Sequence, residues 1–560
     1  MSPTIRPLVV GLELTFIGLL MGFGMAKALN GGIWTYPLDD PYIHLAIARH
    51  LAQDGLWSID GHHAFTSSSS SPLWTLVLAF GFRLLGVRDT LPLVLNASMA
   101  VLLIVLAHRH FKRTGLSPRC ATMWMMLFVA FVPLVPLVLL GLEHVTHLVL
   151  TLLFFERITA LPDAQEWWPP PSDPHDDSSA ARSQKSSHGL GRGIALIAFA
   201  LGGIRYEGLF TVAAAAIVLL RDRHLLLAGV IILCSAAIPA LYGFISWNAG
   251  WFVLPNSLLL KSGLPAFHAV EWLKYLGGYS KDRSVGIRLL VETPHLLFLV
   301  GLALCLLITD RRKETRSRRR ARGLELFVLT TLFHVQFART GWFYRYEAYL
   351  VGIGILALAP LITEYVGRLW EQDTGENART PRAARRPAIV AGLMILLFPF
   401  LDRSLQAHLK TPLASNDIFQ QHYQMAQFIH RFFDDRTVAA NDVGAIAYYG
   451  DAAIFDVYGL ANVEVARARL EGRFDASILE TLAGGEGVEI AVVYDEWLAP
   501  TGGAPEGWTP IGWWAIDKNF SADHRRVHWY AVKAETREKL RRALLTFGPH
   551  LPPGVEWAVE

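Results

Sequence analysis

Apolar runs recur along this chain from Val9 to Leu401, and crossing a bilayer takes about 20 mostly apolar residues. Inside hydrocarbon every backbone N–H and C=O must be satisfied within the protein, so such runs are committed to helices. Composition agrees: 52% of the 560 residues are hydrophobic and 18% are charged, against about a quarter charged in soluble domains. The chain reads as a polytopic α-helical membrane protein set in a lipid bilayer. Residues 1–29 hold an apolar stretch too long for a signal-peptide core and no small-residue cleavage site, so they read as a retained first span. A net charge of +3 says little about partners, and no nucleic acid is expected among them. Cys120, Cys234 and Cys305 lie in or beside apolar runs, which suggests neither a disulfide framework nor a zinc site.

Lys and Arg favour the cytoplasmic side, so basic clusters orient the spans. They are Arg6, residues 108–113 with Arg119, then Arg182 with Lys185 and Arg192, and residues 221–224, 311–322 and 379–386. Placing all of them inside gives about eleven spans in the cytoplasmic (inner) membrane, N-terminus cytoplasmic and C-terminus extracytoplasmic. They fall near 8–29, 89–108, 120–140, 143–160, 193–205, 207–220, 225–246, 286–308, 324–339, 347–366 and 388–402. Residues 72–87 then form an interfacial helix on the outer surface. The polar insertions 162–188 and 371–386 show no apolar periodicity and are expected as disordered cytoplasmic loops. After Asp402 the composition becomes that of a soluble domain. The expected division is 1–402, transmembrane, with a first outer loop at 30–88, and 403–560, an extracytoplasmic α/β domain. In the latter DIFQQHYQMAQFIHRFF and residues 535–545 have helical spacing; TVAAND, AAIFDVYG, EIAVVYDEW and RRVHWYAVKA read as strands.

The first span is followed by PLDDPYIHLAIARHLAQDG, residues 37–55, with Asp39 and Asp40 side by side where helical spacing begins. Asp40 is a preferred N-cap, Pro41 suits the first helical position, and a residue before proline leaves the α region as a cap must. Capping accounts for one carboxylate, not for two that repel. The other reading is a general base or a cation ligand, one acid tuning the other. The topology gathers LGLEHVTH (140–147), GGIRYEGLF (202–210), NAGWFVLPNSLLLKSG (248–263) and ARTGWFYRYEAY (338–349) on the same outer face. They bring Glu143, Arg205, Glu207, Lys261, Arg339, Arg345 and Glu347 to the side of the aspartates. Charges at membrane depth are costly and usually functional. Acids beside fixed cations at an outer interface suit a lipid phosphate reacting with a hydroxyl. Elsewhere the bland readings are preferred. The serine run 66–71 reads as a flexible loop, with His62 and His63 exposed in it. NDVGAIAYYGD reads as a structural turn, and Trp247, Trp251, Trp342, Phe343 and Tyr344 as an interfacial belt.

DDPYIHLAIARHLAQDGLW, followed by SSSSSPLWTLVLAF, resembles the first outer loop of the GT-C superfamily of integral-membrane glycosyltransferases, and most of all the bacterial arabinofuranosyltransferase-like branch. GLE (141–143) resembles the Gly-Met/Leu-Glu-Thr motif, RYEG (205–208) Arg-Pro-Glu-Gly, and LPNSLLLK (254–261) Leu-Pro-Asn-Thr…Ala-Lys. VAANDVGAIAYYGDAAIFDVYGLAN (438–462) resembles a segment of that branch's C-terminal domains. The resemblance covers most of the chain, and its specificity lies in order and spacing. It implies a GT-C-like fold and transfer of a hexosyl or pentosyl group from a polyprenyl-phosphate donor to a hydroxyl of an envelope glycan, lipid or protein. By that resemblance Asp39 or Asp40 is the base, with Asp39 favoured because Asp40 is better placed to cap, and Glu143 joins the catalytic set. Arg205 and Lys261 hold the donor phosphate, supported by Arg345, with Glu207 and Asn256 in the substrate site; arginine's planar fork suits phosphate. Tyr206 stands where the family has proline and His144 where it has threonine. Glu143, His144 and His147 could meet a divalent cation together with Asp39; no other cofactor is implied. Two alternatives are a transporter or flippase of a lipid-linked sugar and a non-catalytic envelope scaffold. Transporter sites sit near mid-membrane, often between repeats, whereas these charges gather at one face and no repeat is visible.

From this topology, an alkaline phosphatase fusion at the C-terminus is expected to be active and one at Arg319 inactive. The reverse pattern would overturn the orientation.

Overall fold

The computed structural model describes residues 2–162, 177–261, 279–280, 283–309, 316–372 and 382–560. Among them four helices are long and apolar enough to cross a membrane: Arg6–Leu29, Leu91–Arg113, Leu225–Asn248 and Ala348–Arg368. Val285–Val291 and Pro294–Thr309, bent by 114°, make a fifth if they count as one span. Phe16, Met21, Leu226 and Leu233 stand exposed on these helices, as side chains facing lipid do. The protein is a helical membrane protein, but the expected eleven spans are not found as eleven long helices.

The reasons are local. The run at 120–140 divides into Pro118–Phe131 and Leu134–Leu139 around Pro133, which has no N–H to continue a helix. The run at 286–308 bends between Val291 and Pro294. Residues 193–220 do form two helices, Asp177–Ile204 and Gly208–Arg221, meeting at the Arg205–Glu207 turn. The expected interfacial segment is the Pro72–Leu85 helix. It buries Trp74, Leu78 and Phe82 at four-residue spacing and exposes Leu76, Phe80 and Leu84 on the opposite side. Of the two polar insertions, residues 163–176 and 373–381 lie outside the described residues, and 177–188 is helical.

The change of composition at Asp402 is not a break in the backbone. One helix, Arg382–Ile418, runs through it, continues as a π-turn at Phe419–Tyr423, and carries on as the Gln424–Phe432 helix. Residues 30–88, expected as the first outer loop, are tied to this shaft: Thr35 donates to the Ser415 carbonyl (2.7 Å) and Ser415 to the Thr35 carbonyl (2.7 Å). Beyond it lies a six-stranded sheet of β1 (Thr437–Ala440), β2 (Ala453–Asp456), β3 (Ile490–Val493), β4 (Thr509–Ile516), β5 (Arg526–Ala531) and β6 (Val555–Val559). The spatial order is β2-β1-β3-β5-β4-β6. β1 is parallel to β2 and β3, and the remaining pairs are antiparallel. The sequence announces β1, β2, β3 and β5 and misses the other two. TPIGWWAI carries Pro510 and Gly512, both poor strand residues, and its register shifts between them; β6 is a half-exposed edge. The helix expected at 535–545 spans Arg537–Phe547.

The outer loop and the sheet share a core in which Tyr36, Tyr42, Leu45 and Trp74 pack in one cluster with Ile446, Phe428, Trp514 and Trp529. Nor is the serine run loose. Ser67, Ser68, Ser69 and Ser71 are buried, Ser69 bonds Thr75 (3.0 Å), and Ser246 donates to Ser67 (2.9 Å). Small hydroxyl side chains let the chain pass between helices while satisfying one another. His63 is likewise engaged, its Nδ1 2.9 Å from the buried Asp60 and its Nε2 3.7 Å from Glu486. Asp60 also accepts from the Ile454 N–H of β2 (2.8 Å), and His62 bonds the Asp451 carbonyl (2.7 Å).

Its hydrogen bond to Asp60 and then its pairing with Glu486 push His63 up to about 10, against burial. A histidine raised in the folded state adds stability that is complete below its ordinary value of about 6.5 and is lost as pH rises through the folded value. The His63→Gln variant should therefore melt lower than the parent at neutral pH. The two melting curves should converge above about pH 11.

Candidate functional site

The Asp40–Gln53 helix starts with Asp40 itself, Pro41 is second, and neither aspartate caps it through its side chain. The cap expected at Asp40 is absent because its carboxylate has stronger partners. The two acids turn apart. Asp39 accepts the backbone N–H groups of Gly444 (2.7 Å) and Ala445 (2.8 Å), at the start of the Gly444–Tyr449 helix after β1. Burial raises its carboxyl to about 6, with His422 and the two N–H bonds pulling the other way and Asp442 reinforcing the rise. Asp40 faces a cleft instead, its Oδ1 3.0 Å from Lys261 Nζ and its Oδ2 bonded by Arg345. Neighbouring like charges are tolerated because each has its own counterpart.

The cleft has a volume of about 120 Å³ and opens to solvent. Its charged lining is Asp40, Glu143 and Glu207 against Arg205, Lys261, Arg339 and Arg345. The cations outnumber the acids by one, which favours an anionic ligand. All four outer segments gathered by the sequence contribute: Glu143 and His144 from the first, Arg205 to Phe210 from the second, Ser257 to Lys261 from the third, and Ala338 to Tyr346 from the fourth.

Arg345 is delivered by an unusual backbone. Gly341, Trp342, Phe343 and Tyr344 all have positive φ, at 80°, 32°, 55° and 60°. For L-residues the left-handed region costs roughly 1–2 kcal/mol each, so the turn persists only because it is braced. Glu347 accepts the Gly341 N–H (2.9 Å), Arg403 donates through Nε to Glu347 (3.1 Å), and Arg403 also bonds the Tyr344 and Phe131 carbonyls. The outcome is a buried guanidinium whose Nε and Nη1 have no hydrogen-bond partner among the described residues. Leaving a buried donor unmet costs about 1–3 kcal/mol, which an incoming anionic oxygen would recover.

The remaining expected residues separate by what they hold. Arg205 bonds Glu143 and, through Nε (3.1 Å) and Nη2 (2.6 Å), Glu207, so its fork is already committed to two carboxylates. Asn256 does not line the cleft; its Nδ2 donates to the Gly459 carbonyl (2.8 Å) and its N–H to that of Ser67 (2.9 Å). Glu347 braces the turn. His144 is buried with both ring nitrogens unpartnered, while His147 packs on Tyr349 at 4.5 Å between ring centroids. The suggested cation set does not assemble. Asp39 is bound elsewhere, Glu143 Oε1 is taken by Arg205, and no group of three His, Cys, Asp or Glu converges among the described residues. Sequence reading missed Tyr346, whose ring lies 4.9 Å from the Arg345 guanidinium and 5.7 Å from that of Arg205, and Leu460, which brings the sheet domain to the cleft wall. It also missed His44, four residues after Asp40 and so on the same helix face; that spacing was the available signal.

Residues 416–533 match the family model DUF8728, described as a domain of unknown function. No curated protein matches the chain. Similar solved structures include ArnT from Cupriavidus metallidurans bound to undecaprenyl phosphate, at 13% identity and a TM-score of 0.47, covering 94% of this chain and 98% of that one. The apo Archaeoglobus fulgidus oligosaccharyltransferase has 11% identity and a TM-score of 0.47, covering 93% of this chain and 74% of that one. The same enzyme tethered to an acceptor peptide containing the NVT sequon gives 11% identity, a TM-score of 0.48 and the same coverage. Likenesses of this size transfer neither fold nor activity.

Removing the cation from the buried Glu143–Arg205–Glu207 group should cost more than the group itself contributes, because two acids are left buried without a partner. Arg205→Met is expected to lose about 3–5 kcal/mol of stability, read as a lower thermal midpoint in detergent. An unchanged midpoint would mean that the two glutamates find another partner.

Proposed function

We propose that the cleft is the active site of a GT-C-type glycosyltransferase at the outer face of the cytoplasmic membrane. It moves a hexosyl or pentosyl group from a polyprenyl-phosphate donor to a hydroxyl of an envelope glycan, lipid or protein. The observation that carries this reading is the bracketing of Asp40 by Lys261 and Arg345, with two donors of Arg345 unmatched, in a cleft open to solvent. Such a place takes a phosphodiester on its cations and a hydroxyl on its carboxylate. Those are the two partners needed for displacement at a sugar carbon.

Asp40, not Asp39, is then the base, since both oxygens of Asp39 are occupied by backbone N–H groups of the sheet domain. The acceptor O–H gives its proton to Asp40 as its oxygen bonds to the sugar carbon. The bond from that carbon to the phosphate oxygen breaks, and its electron pair leaves with the polyprenyl phosphate. Lys261 and Arg345 meet that developing charge.

The electrostatics order these events. Burial alone would raise the Asp40 carboxyl, but Lys261 and Arg345 outweigh it and hold the group well below the usual carboxylate range. Held by Lys261 and Arg345, Asp40 is anionic yet a poor proton acceptor. A donor phosphate that draws on both cations loosens their hold and raises the proton affinity of Asp40 once a base is needed.

A screen of purified enzyme with radiolabelled polyprenyl-phosphate sugars tests the reaction. Asp40→Asn should lower turnover by about 10² to 10⁴ while binding donor more tightly, because the carboxylate that competes for the cations is gone. Lys261→Gln and Arg345→Gln should each weaken donor binding by about 1.5–3 kcal/mol. Full turnover in folded Asp40→Asn rejects the assignment. Movement of labelled lipid across proteoliposomes without transfer to any acceptor would favour a transporter.

A further inference from the structure

We propose that the sheet domain positions the base through a two-ended clasp between the Asp40–Gln53 helix and the Gly444–Tyr449 helix. This rests on the reading of Asp40 as the base. At one end Asp39 accepts the N–H groups of Gly444 and Ala445. At the other, Arg49 Nη2 donates to the carbonyls of Ala447 (3.1 Å) and Gly450 (2.8 Å) and meets Asp451 at 3.0 Å. The first N–H groups and last C=O groups of a helix are the ones it cannot satisfy itself. The membrane part supplies both counterparts, the Asp39 carboxylate just before the Asp40–Gln53 helix and the Arg49 guanidinium within it. Sliding either helix along its axis breaks both ends at once.

The approach is close. A Cβ on Gly444 would lie 2.4 Å from the Asp39 carbonyl oxygen and 2.7 Å from its Oδ2, so a side chain there must displace Asp39. Between the ends, the Tyr42 ring packs against Tyr448 and Tyr449 at 5.9 Å and 5.5 Å. The charged groups around Asp39 come from the sheet side: His422 in the π-turn, 3.1 Å from Asp442, which follows β1. Asp39 is covalently next to Asp40, so fixing its backbone and side chain fixes the direction in which Asp40 leaves the helix. The same domain also reaches the cleft wall through Leu460, beside the Gly459 carbonyl that Asn256 holds. Asp39 is therefore a positioning residue, and the paired acids have different employers: one meets substrate and the other meets the domain that aims it.

The test uses the full chain in detergent, with Gly444→Ala and Arg49→Gln, neither of which touches the cleft. For Gly444→Ala kcat should fall about 10- to 100-fold while affinity for undecaprenyl phosphate stays within about threefold of the parent. Arg49→Gln should show a smaller loss with the same split. Amide exchange over residues 39–43 should quicken in both variants while residues 437–440 and 490–493 stay protected, which separates local release from unfolding. Where Gly444→Ala does not accumulate as folded protein, Arg49→Gln decides. Parental kcat and parental exchange in the folded variants overturn the clasp. Loss of undecaprenyl phosphate binding in step with kcat overturns the positioning role, leaving a structural contact. If Asp40→Asn keeps its turnover, the choice of base fails instead; the exchange signature of the clasp needs no turnover and is read independently.

Discussion

A carboxylate or guanidinium taken out of water costs several kcal/mol unless an opposite charge or a set of hydrogen bonds replaces the solvent. This protein buries such groups from six stretches of chain that are far apart in sequence. Each can be buried only because another stretch supplies its counterpart. Asp40 needs Lys261 and Arg345, Arg205 needs Glu143 and Glu207, and Glu347 needs Arg403. Charge pairing thus does what hydrophobic burial cannot do in lipid. Apolar helices have no preference for one another over lipid tails, whereas an unmatched charge has a strong one.

The pairing is uneven, and the unevenness marks the working part. Arg205 and Arg403 use their forks fully on protein groups, while Arg345 keeps two donors unmet at the cleft. It is also the residue whose backbone approach is strained, after four successive positive φ angles. Strain held in place by a surrounding brace is common where a side chain must be kept ready for a ligand. The brace itself begins at Arg403, the first basic residue after the last apolar run, so the long helix entering the sheet domain also stabilises the turn beside the cleft.

Much of this was legible because charge stands out against an apolar background. Glu143, Arg205, Glu207, Lys261 and Arg345 could be singled out one by one, and the alternation of basic clusters was enough to expect them on one face; the cleft does bring them together. The direction of each side chain was not legible. Asp39 and Asp40 have the same chemistry and neighbouring positions, and what distinguishes them is a pair of N–H groups some four hundred residues later. The choice of Asp40 as cap failed for that reason. That Arg205 shares its fork with two acids was not legible either, because a sequence does not show which acids will lie beside it. The serine run looked loose because its partners, Ser246 and Ile204, lie on other helices. Two of the expected spans are not single long helices because prolines divide apolar runs that hydropathy sees as continuous.

The continuous helix from Arg382 to Ile418, the π-turn and the Gln424–Phe432 helix together contain no glycine after Gly392. A recombination point placed where composition changes, near residue 402, would cut this helical rod in mid-length, close to Pro399. The matched family segment, starting at 416, also begins inside that rod. A domain exchanged for this one would have to present Gly444 to Asp39, the Gly459 carbonyl to Asn256 and the Leu460 side chain to the cleft wall. Loop, rod and sheet are therefore expected to vary together, substitutions in one being tracked by substitutions in the other two.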